Sequence, residues 1–300
     1  MFTSIVFSKD RPLQLDLTLK SIATNFSSSR VIVLYKTSND KYKDSYSTVI
    51  EEHENVRFVQ QGHSIFDDIN NIVKDIEGYV YFLTDDCIIY NRVDLSAEEL
   101  DNLFEVVTDA QKEKLLCGVS LRLGQNTTKR AISGELAPDA MPPTVYLTDD
   151  KFLLWNFTTV PFGSYWGYPL SVDGHIFKAS VMKNFTNELS LLDKYYANCG
   201  TIPRAKYSWN QTPNEFESKL QRFMFELKPI MGSLSQSCVV NSPNNRVQDS
   251  HDNKSGDVYG YVALDLKDEF DSGKRINFNN INFANIECPH QELDILEGLL

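Results

Sequence analysis

The first 90 residues alternate short apolar runs with longer amphipathic segments, and this alternation restricts the fold more than any other feature of the sequence. The runs have strand length and are rich in β-branched and aromatic residues; they span Thr3 to Ser8, Arg30 to Tyr35, Val56 to Val59 and Tyr79 to Leu83. The segments between them have helix length. Strands that alternate with helices in this way predict βαβ units and a mainly parallel central sheet flanked by helices.

Three helices are predicted to connect these strands. The first begins at Pro12, because proline suits the first turn of a helix. The second runs from Lys41 to Glu52, and the third runs from Ile65 to Ile76, where apolar residues recur at helical spacing. The class predicted for the chain is therefore α/β.

The pattern beyond residue 90 predicts more elements of both kinds. Ser96 and Thr212 each precede a glutamate by three positions, which is the capping-box pattern, so helices should run to about Asp109 and Phe225. Strands or strand ends are expected at Gly118 to Arg122, Ser171 to Phe177 and Ser237 to Val240, with a last helix at Val258 to Glu269. The loosely patterned stretch from Leu123 to Trp166 predicts loops and short strands over the sheet.

The composition excludes several classes of protein. The chain has 29 Lys plus Arg against 41 Asp plus Glu, a net charge of −12, which disfavours binding to nucleic acid because that depends on cationic side chains. The sequence shows no signal-peptide pattern and no apolar stretch long enough to span a membrane, so we expect a cytoplasmic protein, with peripheral membrane contact left open. Its five cysteines are widely spaced and form no Cys-x-x-Cys pair, which argues against disulfides and a zinc site.

Two adjacent carboxylates, Asp85 and Asp86, follow the fourth predicted strand. Open α/β sheets bind their ligands at the carboxyl ends of parallel strands. A hard divalent cation such as Mg²⁺ or Mn²⁺ accepts oxygen ligands and can bridge a protein carboxylate to a substrate phosphate. The pair therefore predicts a metal site, although an Asp-Asp pair can also cap the next segment or face solvent.

With these features the chain resembles nucleotide-sugar glycosyltransferases of the GT-A fold, in particular the bacterial family 2 type. The resemblance is carried by an opening strand that leads into an Arg-Pro turn, by a strand that ends in the acidic pair, by a glycine loop and by an acidic helix start. These motifs are Ile5 to Pro12, Phe82 to Asp86, Ser171 to Phe177 and Asn214 to Glu217. Two later segments, Asn241 to Gln248 and Pro289 to Glu292, also resemble bacterial glycosyltransferase-like proteins.

The resemblance implies a GT-A-like (Rossmann-like) fold with an irregular acceptor-side half. It implies one continuous domain in which residues 1–120 bind the nucleotide-sugar, residues 121–250 bind the acceptor, and residues 251–300 form a helical tail. The implied activity is metal-dependent transfer of a sugar from a UDP- or GDP-sugar to a hydroxyl of a saccharide, glycolipid or protein, as in polysaccharide biosynthesis. Mn²⁺ or Mg²⁺ is the implied cofactor.

The same resemblance nominates site residues. The general base that deprotonates the acceptor is expected to be Glu215, then Glu217, then Asp173. Metal ligands are expected at Asp85, Asp86 and His251, with Asn241 as the alternative to the histidine. The donor is expected to contact Ser8, Lys9, Asp10, Arg11, Lys36, Asp85, Gly174 and His175. Because the chain is acidic and the diphosphate is anionic, the bound cation is needed to supply local positive charge.

Several alternatives stay open from the residues themselves. Glu215 could instead be part of a helix cap, and His175 could be a structural residue. The turn from Lys9 to Arg11 could simply be exposed to solvent. The cationic side chains that could contact phosphate are Arg122, Lys129, Arg130 and Arg246. The aromatic side chains that could stack on a sugar ring, and that are equally suited to the core, are Tyr165, Trp166 and Tyr168.

The motifs also depart from the GT-A pattern. Thr84 replaces the first aspartate of the usual motif, and the stretch Tyr35 to Asp40 lacks the usual acidic run, so an inactive carbohydrate- or nucleotide-binding subunit is the main alternative. A sugar nucleotidyltransferase is less favoured, because the loop after the first strand contains no glycine. The chain also lacks the glycine-rich motifs of dinucleotide oxidoreductases and P-loop enzymes.

Overall fold

The protein is an α/β structure built around one large sheet. The computed structural model describes residues 1–110, 116–132, 135–142, 146–148, 150–161, 163–168, 170–198, 212–226, 230–247 and 255–300. Nine strands in these residues form the central sheet, and helices cover both of its faces. The fold class predicted from the sequence is confirmed.

The first part of the chain forms the parallel half of the sheet, as predicted. Its strands are β1 (Phe2–Lys9), β2 (Ser29–Lys36), β3 (Arg57–Gln60) and β4 (Tyr79–Thr84). They are connected by α1 (Pro12–Asn25), α2 (Asp40–Glu52) and α3 (Ile65–Val73). The spatial order is β3-β2-β1-β4, and all three strand pairs are parallel.

The rest of the chain alternates strands and helices less regularly. Its strands are β5 (Cys87–Ile89), β6 (Leu116–Ser120), β7 (Lys129–Ile132), β8 (Glu135–Pro138), β9 (Tyr146–Thr148), β10 (Phe152–Asn156), β11 (His175–Lys178), β12 (Ile230–Leu234) and β13 (Val239–Asn241). Its α-helices are α4 (Ala97–Ala110), α5 (Ala179–Asn198), α6 (Pro213–Glu226) and α7 (Ala263–Asp271). Short 3-10 helices occur at Phe157–Thr159, Tyr165–Gly167, Phe278–Asn280 and Ile295–Gly298.

The full sheet order is β3-β2-β1-β4-β11-β6-β12-β10-β9. β11 runs antiparallel to both β4 and β6, and β10 runs antiparallel to its two neighbours, so the other described strands share one direction. Two small sheets lie outside it, β5 with β13 and β7 with β8. Because β11 is antiparallel to β4, the residues just before β11 lie beside those just after β4.

The core has two layers, one on each face of the sheet. One face packs against α1, α2, α4 and α7, and the other packs against α3, α5 and α6. The side chains of β4 from Tyr79 to Leu83 are fully buried, because both faces of this strand are covered. This double burial explains why the strand is almost continuously apolar in sequence.

Local predictions succeeded where capping residues marked the boundaries. Ser96 and Glu99 form the predicted capping box, since the Ser96 hydroxyl accepts from the Glu99 amide and the Glu99 carboxylate accepts from the Ser96 amide. The last helix begins at Ala263 rather than Val258, because the Glu292 carboxylate binds backbone amides of the preceding loop and holds it non-helical.

Two further local differences concern β11 and α5. The stretch predicted as a strand end from Ser171 is a turn up to Gly174, where φ is +92°, and β11 begins only at His175. The helix α5 was not predicted, although Met182, Phe185 and Leu189 recur at helical spacing. In the described residues, no helix combines the length and the apolar character needed to cross a bilayer.

Candidate functional site

The acidic pair after β4 is held by an arginine from the turn after β1. Arg11 Nη1 lies 3.0 Å from Asp85 Oδ1 and 2.7 Å from Asp86 Oδ2. The second oxygen of Asp85 accepts hydrogen bonds from the Ser8 hydroxyl at 2.8 Å and from the Lys9 amide at 3.0 Å. These groups meet because β1 and β4 are parallel neighbours, so both strands end at the same edge of the sheet.

A third aspartate, Asp173, pairs with a second arginine and a histidine. Arg122 Nη1 lies 2.9 Å from Asp173 Oδ2, and His290 Nε2 lies 3.1 Å from the same oxygen. The two nitrogens are 2.9 Å apart. Asp173 stands next to the acidic pair because it precedes β11, the antiparallel neighbour of β4. We call Asp85, Asp86 and Asp173 the acidic cluster.

Two neutral side chains bridge the acidic cluster. The Thr84 hydroxyl lies 2.7 Å from Asp86 Oδ1 and 3.2 Å from Asp173 Oδ1. The side-chain amide of Asn241 lies 2.8 Å from Asp86 Oδ1 and 3.5 Å from Asp173 Oδ1. One oxygen of Asp86 and one oxygen of Asp173 therefore face the same two side chains. Thr84, which replaces the first aspartate of the usual motif, contacts Asp86 through its hydroxyl.

The C-terminal segment completes this group, and the sequence assigned no role to its histidine. Asn241 ends β13, which pairs with β5 directly after the acidic pair. The backbone amide of Asn241 donates to the Pro289 carbonyl at 2.9 Å, and the backbone amide of Gln291 donates to the backbone carbonyl of Asn241 at 3.0 Å. His290 lies between these two contacts and is thereby placed against the acidic cluster. The available signal was the segment Pro289 to Glu292, which the sequence resemblance singles out.

The carboxylates of the acidic cluster have different protonation properties. Burial raises the pKa of Asp85 to about 6, although the charge of Arg11 opposes this effect. Burial also acts to raise the pKa of Asp173, but the hydrogen bond and charge of His290 and the charge of Arg122 outweigh it and hold that pKa below its ordinary value. Asp173 therefore stays ionised at neutral pH and is a weak proton acceptor.

The other residues predicted to contact the donor surround the ends of β1 and β2. Lys9 Nζ donates to the Val247 carbonyl at 2.9 Å. Asp10 has a φ of +56°, and its carboxylate accepts hydrogen bonds from the amide of Ser38 at 2.8 Å and from its hydroxyl at 2.5 Å. Lys36 is exposed at the end of β2. The structure thus brings Ser8, Lys9, Asp10 and Arg11 to one edge of the sheet.

Gly174 and His175 lie beneath this edge, within the fold. A Cβ on Gly174 would meet the Val239 side chain at 3.3 Å, and the positive φ also favours glycine there. His175 is fully buried, and its Nδ1 lies 3.0 Å from the Ser171 hydroxyl. Burial, helped by the charge of Arg122, lowers the pKa of His175 to about 3, so its imidazole is neutral.

The two candidate glutamates of α6 have different surroundings. The Glu215 amide lies 3.3 Å from the Thr212 hydroxyl, and the Glu215 carboxylate lies 3.4 Å from Lys219 Nζ. Glu217 is half-buried and hydrogen-bonds to Tyr168. Burial, and secondly the charge of Asp173, raise the pKa of Glu217 to about 8. Of the two, Glu217 is the one that interacts electrostatically with the acidic cluster.

Two of the aromatic residues singled out in the sequence have clear roles. The ring of Tyr165 stacks on that of His290, with centroids 5.4 Å apart and planes inclined by 7°. The Arg122 guanidinium lies 5.4 Å from the centre of the same Tyr165 ring. Trp166 is fully buried and donates to the Thr127 carbonyl, so it is a core residue.

The predicted metal ligands are only partly described. His251 lies outside the described residues, which contain no group of three or more His, Cys, Asp or Glu side chains able to hold a metal. Mg²⁺ that acts on phosphates is usually held by one or two protein carboxylates, with substrate phosphates and water completing its shell. Asp85 and Asp86 offer oxygens of the kind that such a cation prefers, and in this structure the Arg11 guanidinium lies between the two carboxylates.

Comparison with known proteins supports the resemblance noted in the sequence. The chain is 27% identical over 314 residues to a bifunctional glycosyltransferase, pgtA, of Dictyostelium discoideum. The chain resembles a glycosyltransferase. The match covers 94% of this chain but 38% of the relative, so the chain spans less than half of that protein's length. No family model matches the sequence.

Solved structures overlap with the chain only weakly. A 4-diphosphocytidyl-2C-methyl-D-erythritol synthase from Anaerococcus prevotii covers 90% of this chain and 96% of its own, at 12% identity and a TM-score of 0.38. The match to a mannosyltransferase from Pyrobaculum calidifontis, in complex with GDP-Man and Mn²⁺, covers 42% of this chain and 36% of that protein, at 16% identity and a TM-score of 0.27. The match to the galactosyltransferase LgtC covers 60% of this chain and 59% of that protein, at 14% identity and a TM-score of 0.27. Scores this low carry no argument about function.

Proposed function

We propose that this protein is a glycosyltransferase that uses a nucleotide-diphosphate sugar and a divalent cation, Mn²⁺ or Mg²⁺. The observation that carries the proposal is the acidic cluster, where Asp85, Asp86 and Asp173 meet at the carboxyl ends of β1 and β4. The sequence similarity to a glycosyltransferase supports the same class of reaction. The donor is a UDP- or GDP-sugar, and the acceptor is a hydroxyl of a saccharide, glycolipid or protein.

Asp86, with Asp85 beside it, is the residue that would hold the cation, and a cation there would neutralise charge on the diphosphate as the sugar leaves. Arg11 keeps the two carboxylates together through one nitrogen, Nη1. Lys9 and Arg11 add positive charge at the same edge and would attract the diphosphate. Lys36 and Asp10 would line the nucleoside end of this pocket.

We place the acceptor near Glu217, on the α6 side of the acidic cluster. With its pKa raised to about 8, Glu217 is mostly a neutral carboxylic acid at pH 7 and can donate a hydrogen bond to an acceptor oxygen. Tyr168, which hydrogen-bonds to Glu217, orients it. Glu215, paired with Lys219, is the second choice for contact with the acceptor.

The proposed division of labour follows the chain. Residues 1–120 would bind the donor, residues 121–250 would bind the acceptor, and residues 251–300 would close the site from the C-terminal side. The cytoplasmic location and a role in polysaccharide biosynthesis stay predictions. The four cysteines in the described residues are free and buried, in keeping with a reducing compartment.

The proposal is tested by measuring the release of nucleoside diphosphate from UDP- and GDP-sugars with Mn²⁺, with Mg²⁺ and with a chelator. Asp86→Ala should lower turnover by about 100-fold or more, because it removes the carboxylate that would hold the cation against the leaving diphosphate. Asp94→Ala is the matched control, since that carboxylate is 93% exposed and outside the site, and it should stay within about twofold of wild type.

Two outcomes would contradict the proposal. Turnover that is unchanged by the chelator and by Asp86→Ala would remove the metal and the acidic pair from the mechanism. Calorimetric binding of a nucleotide-sugar with Mn²⁺, but no consumption with any acceptor extract, would instead identify the chain as an inactive binding subunit.

A further inference from the structure

His290 lies at the centre of the candidate site, yet nothing in the sequence patterns assigned it a role. We propose that His290 is the general base that takes the proton from the acceptor hydroxyl, and that Asp173 is the positioning residue that orients it. This inference rests on the proposed glycosyl transfer, and it deepens that function by naming the proton acceptor.

Two contacts at Nε2 of His290 bear on its tautomer. This nitrogen lies 3.1 Å from Asp173 Oδ2 and 2.9 Å from Arg122 Nη1. A lone pair on Nε2 would accept a hydrogen bond from Arg122, which can only donate, but it would also face an ionised carboxylate oxygen. The charge of that carboxylate favours the tautomer with the hydrogen on Nε2. With the hydrogen on Nε2, both His290 and Arg122 donate to the same Asp173 oxygen, and the lone pair of the imidazole lies on Nδ1.

Nδ1 is the atom that remains open to a substrate. The His290 side chain is 32% exposed, whereas that of Asp173 is 8% exposed. Within the described residues, Nδ1 has no hydrogen-bond partner, and it is not among the buried unpaired atoms, so it is accessible to solvent. A free basic nitrogen at the site can reach an acceptor hydroxyl that a buried carboxylate cannot.

The surroundings of the ring hold it in one orientation. Tyr165 stacks on one face, Asp173 and Arg122 meet Nε2, and the Cys288 thiol donates to the His290 carbonyl at 3.0 Å. These are the titratable and charged groups that face His290 in the described structure. An oriented imidazole loses little freedom when it meets the acceptor, which favours catalysis.

The carboxylates nearby are less suited to this task. Asp173 is a weak base, because its pKa is held below the ordinary value. Glu217 is mostly protonated at pH 7, so it is short of the form that accepts a proton. An imidazole is the side chain that most readily exchanges protons near neutral pH.

The proposed step moves one proton and one glycosyl group. The acceptor oxygen forms a bond to the anomeric carbon while its proton moves to Nδ1 of His290. The bond between the anomeric carbon and the diphosphate oxygen breaks, and its electron pair leaves with the nucleoside diphosphate. The imidazolium then carries a hydrogen on each nitrogen, is stabilised by Asp173, and releases the Nδ1 proton to water.

The tautomer can be tested without any substrate by ¹⁵N NMR of the histidine rings in the full chain. We expect the hydrogen of neutral His290 on Nε2, with the signal assigned by comparison with His290→Gln. Asp173→Asn should change this signal, because Asp173 accepts that hydrogen. A neutral ring with its hydrogen on Nδ1 would overturn the assignment of the base.

Kinetics supply the second test, with the release of nucleoside diphosphate as the readout. His290→Ala should lower kcat by about 100- to 1000-fold and leave KM for the donor within about threefold, because it removes the group that accepts the proton in the transition state. Added imidazole should restore part of the rate. His63→Ala, a change at an exposed histidine outside the site, is the control and should match wild type.

The outcomes separate this inference from the proposed function. A wild-type protein that consumes no nucleotide-sugar refutes the function itself. An active wild type with His290→Ala reduced less than about fivefold refutes the base only. If saturating Mn²⁺ restores His290→Ala to the full rate, the histidine acts on the metal, and the inference is overturned while the function stands.

Discussion

The ion pair between Arg122 and Asp173 allows a quantitative prediction about stability. Both partners are buried, with side chains 2% and 8% exposed. Arg122→Met keeps the unbranched stem but removes the guanidinium, so it leaves a buried carboxylate that only His290 and neutral groups contact. Breaking a buried pair from one side costs about 3–5 kcal/mol, because the remaining charge is uncompensated.

The assay is urea unfolding at pH 7.5, supported by thermal unfolding. We expect Arg122→Met to lower the free energy of unfolding by about 3–5 kcal/mol, which corresponds to a fall in Tm on the order of 10 °C. Lys129→Met is the matched control: its pair with Glu287 is exposed, with side chains 37% and 41% accessible, so its loss should cost about 1 kcal/mol or less.

The double variant Arg122→Met/Asp173→Asn identifies the cause. If the cost comes from the uncompensated carboxylate, neutralising Asp173 should recover about 2 kcal/mol of the loss. The lowered pKa of Asp173 means that its ionised form stabilises the fold above the pKa of the unfolded chain, and that this contribution is lost in acid. The cost of Arg122→Met should therefore be present at neutral pH and shrink in acid. The reasoning would be refuted if the free energy of unfolding of Arg122→Met were within about 1 kcal/mol of that of wild type. It would also be refuted if the double variant were no more stable than Arg122→Met.

Two other changes have outcomes that the structure determines. Gly174→Ala should destabilise the protein by roughly 1 kcal/mol more than Gly273→Ala in thermal unfolding; both have φ near +91°, but only at Gly174 would a Cβ meet another side chain, that of Val239 at 3.3 Å. Equal losses would show that this contact is unimportant. The raised pKa of Glu217 means that its ionised form destabilises the fold, so Glu217→Gln should gain stability relative to wild type as the pH rises from 5 to 9, with Glu215→Gln as the control. A constant difference across that range would contradict the raised pKa of Glu217.

The parallel half of the fold could be predicted because its information is local. Strand-length apolar runs, Pro12 at a helix start and the Ser96 capping box each act within a few residues, and each matches the structure closely. The helix α5 was missed although its buried positions are regularly spaced. The last helix was placed too early, because the contact that ends the preceding loop comes from Glu292, about 30 residues further along the chain.

The candidate site was predictable to the extent that it follows strand ends. Asp85, Asp86 and the turn at Arg11 were recognised because each follows an apolar run, and parallel strands bring such ends together. Asp173 was recognised through its glycine loop. His290 received no role, because its position depends on a pairing between Asn241 and the C-terminal segment that no local pattern encodes.

The sequence by itself determined the α/β class, the edge of the sheet that carries the candidate site, and the acidic residues gathered there, because apolar periodicity and strand ends are local properties. Only the tertiary structure decided which charges meet. It paired Arg11 with the acidic pair, Arg122 and His290 with Asp173, and separated Glu217 from Glu215. The physical reason is that burial and ion pairing set the protonation of a carboxylate, and both depend on groups that are distant along the chain.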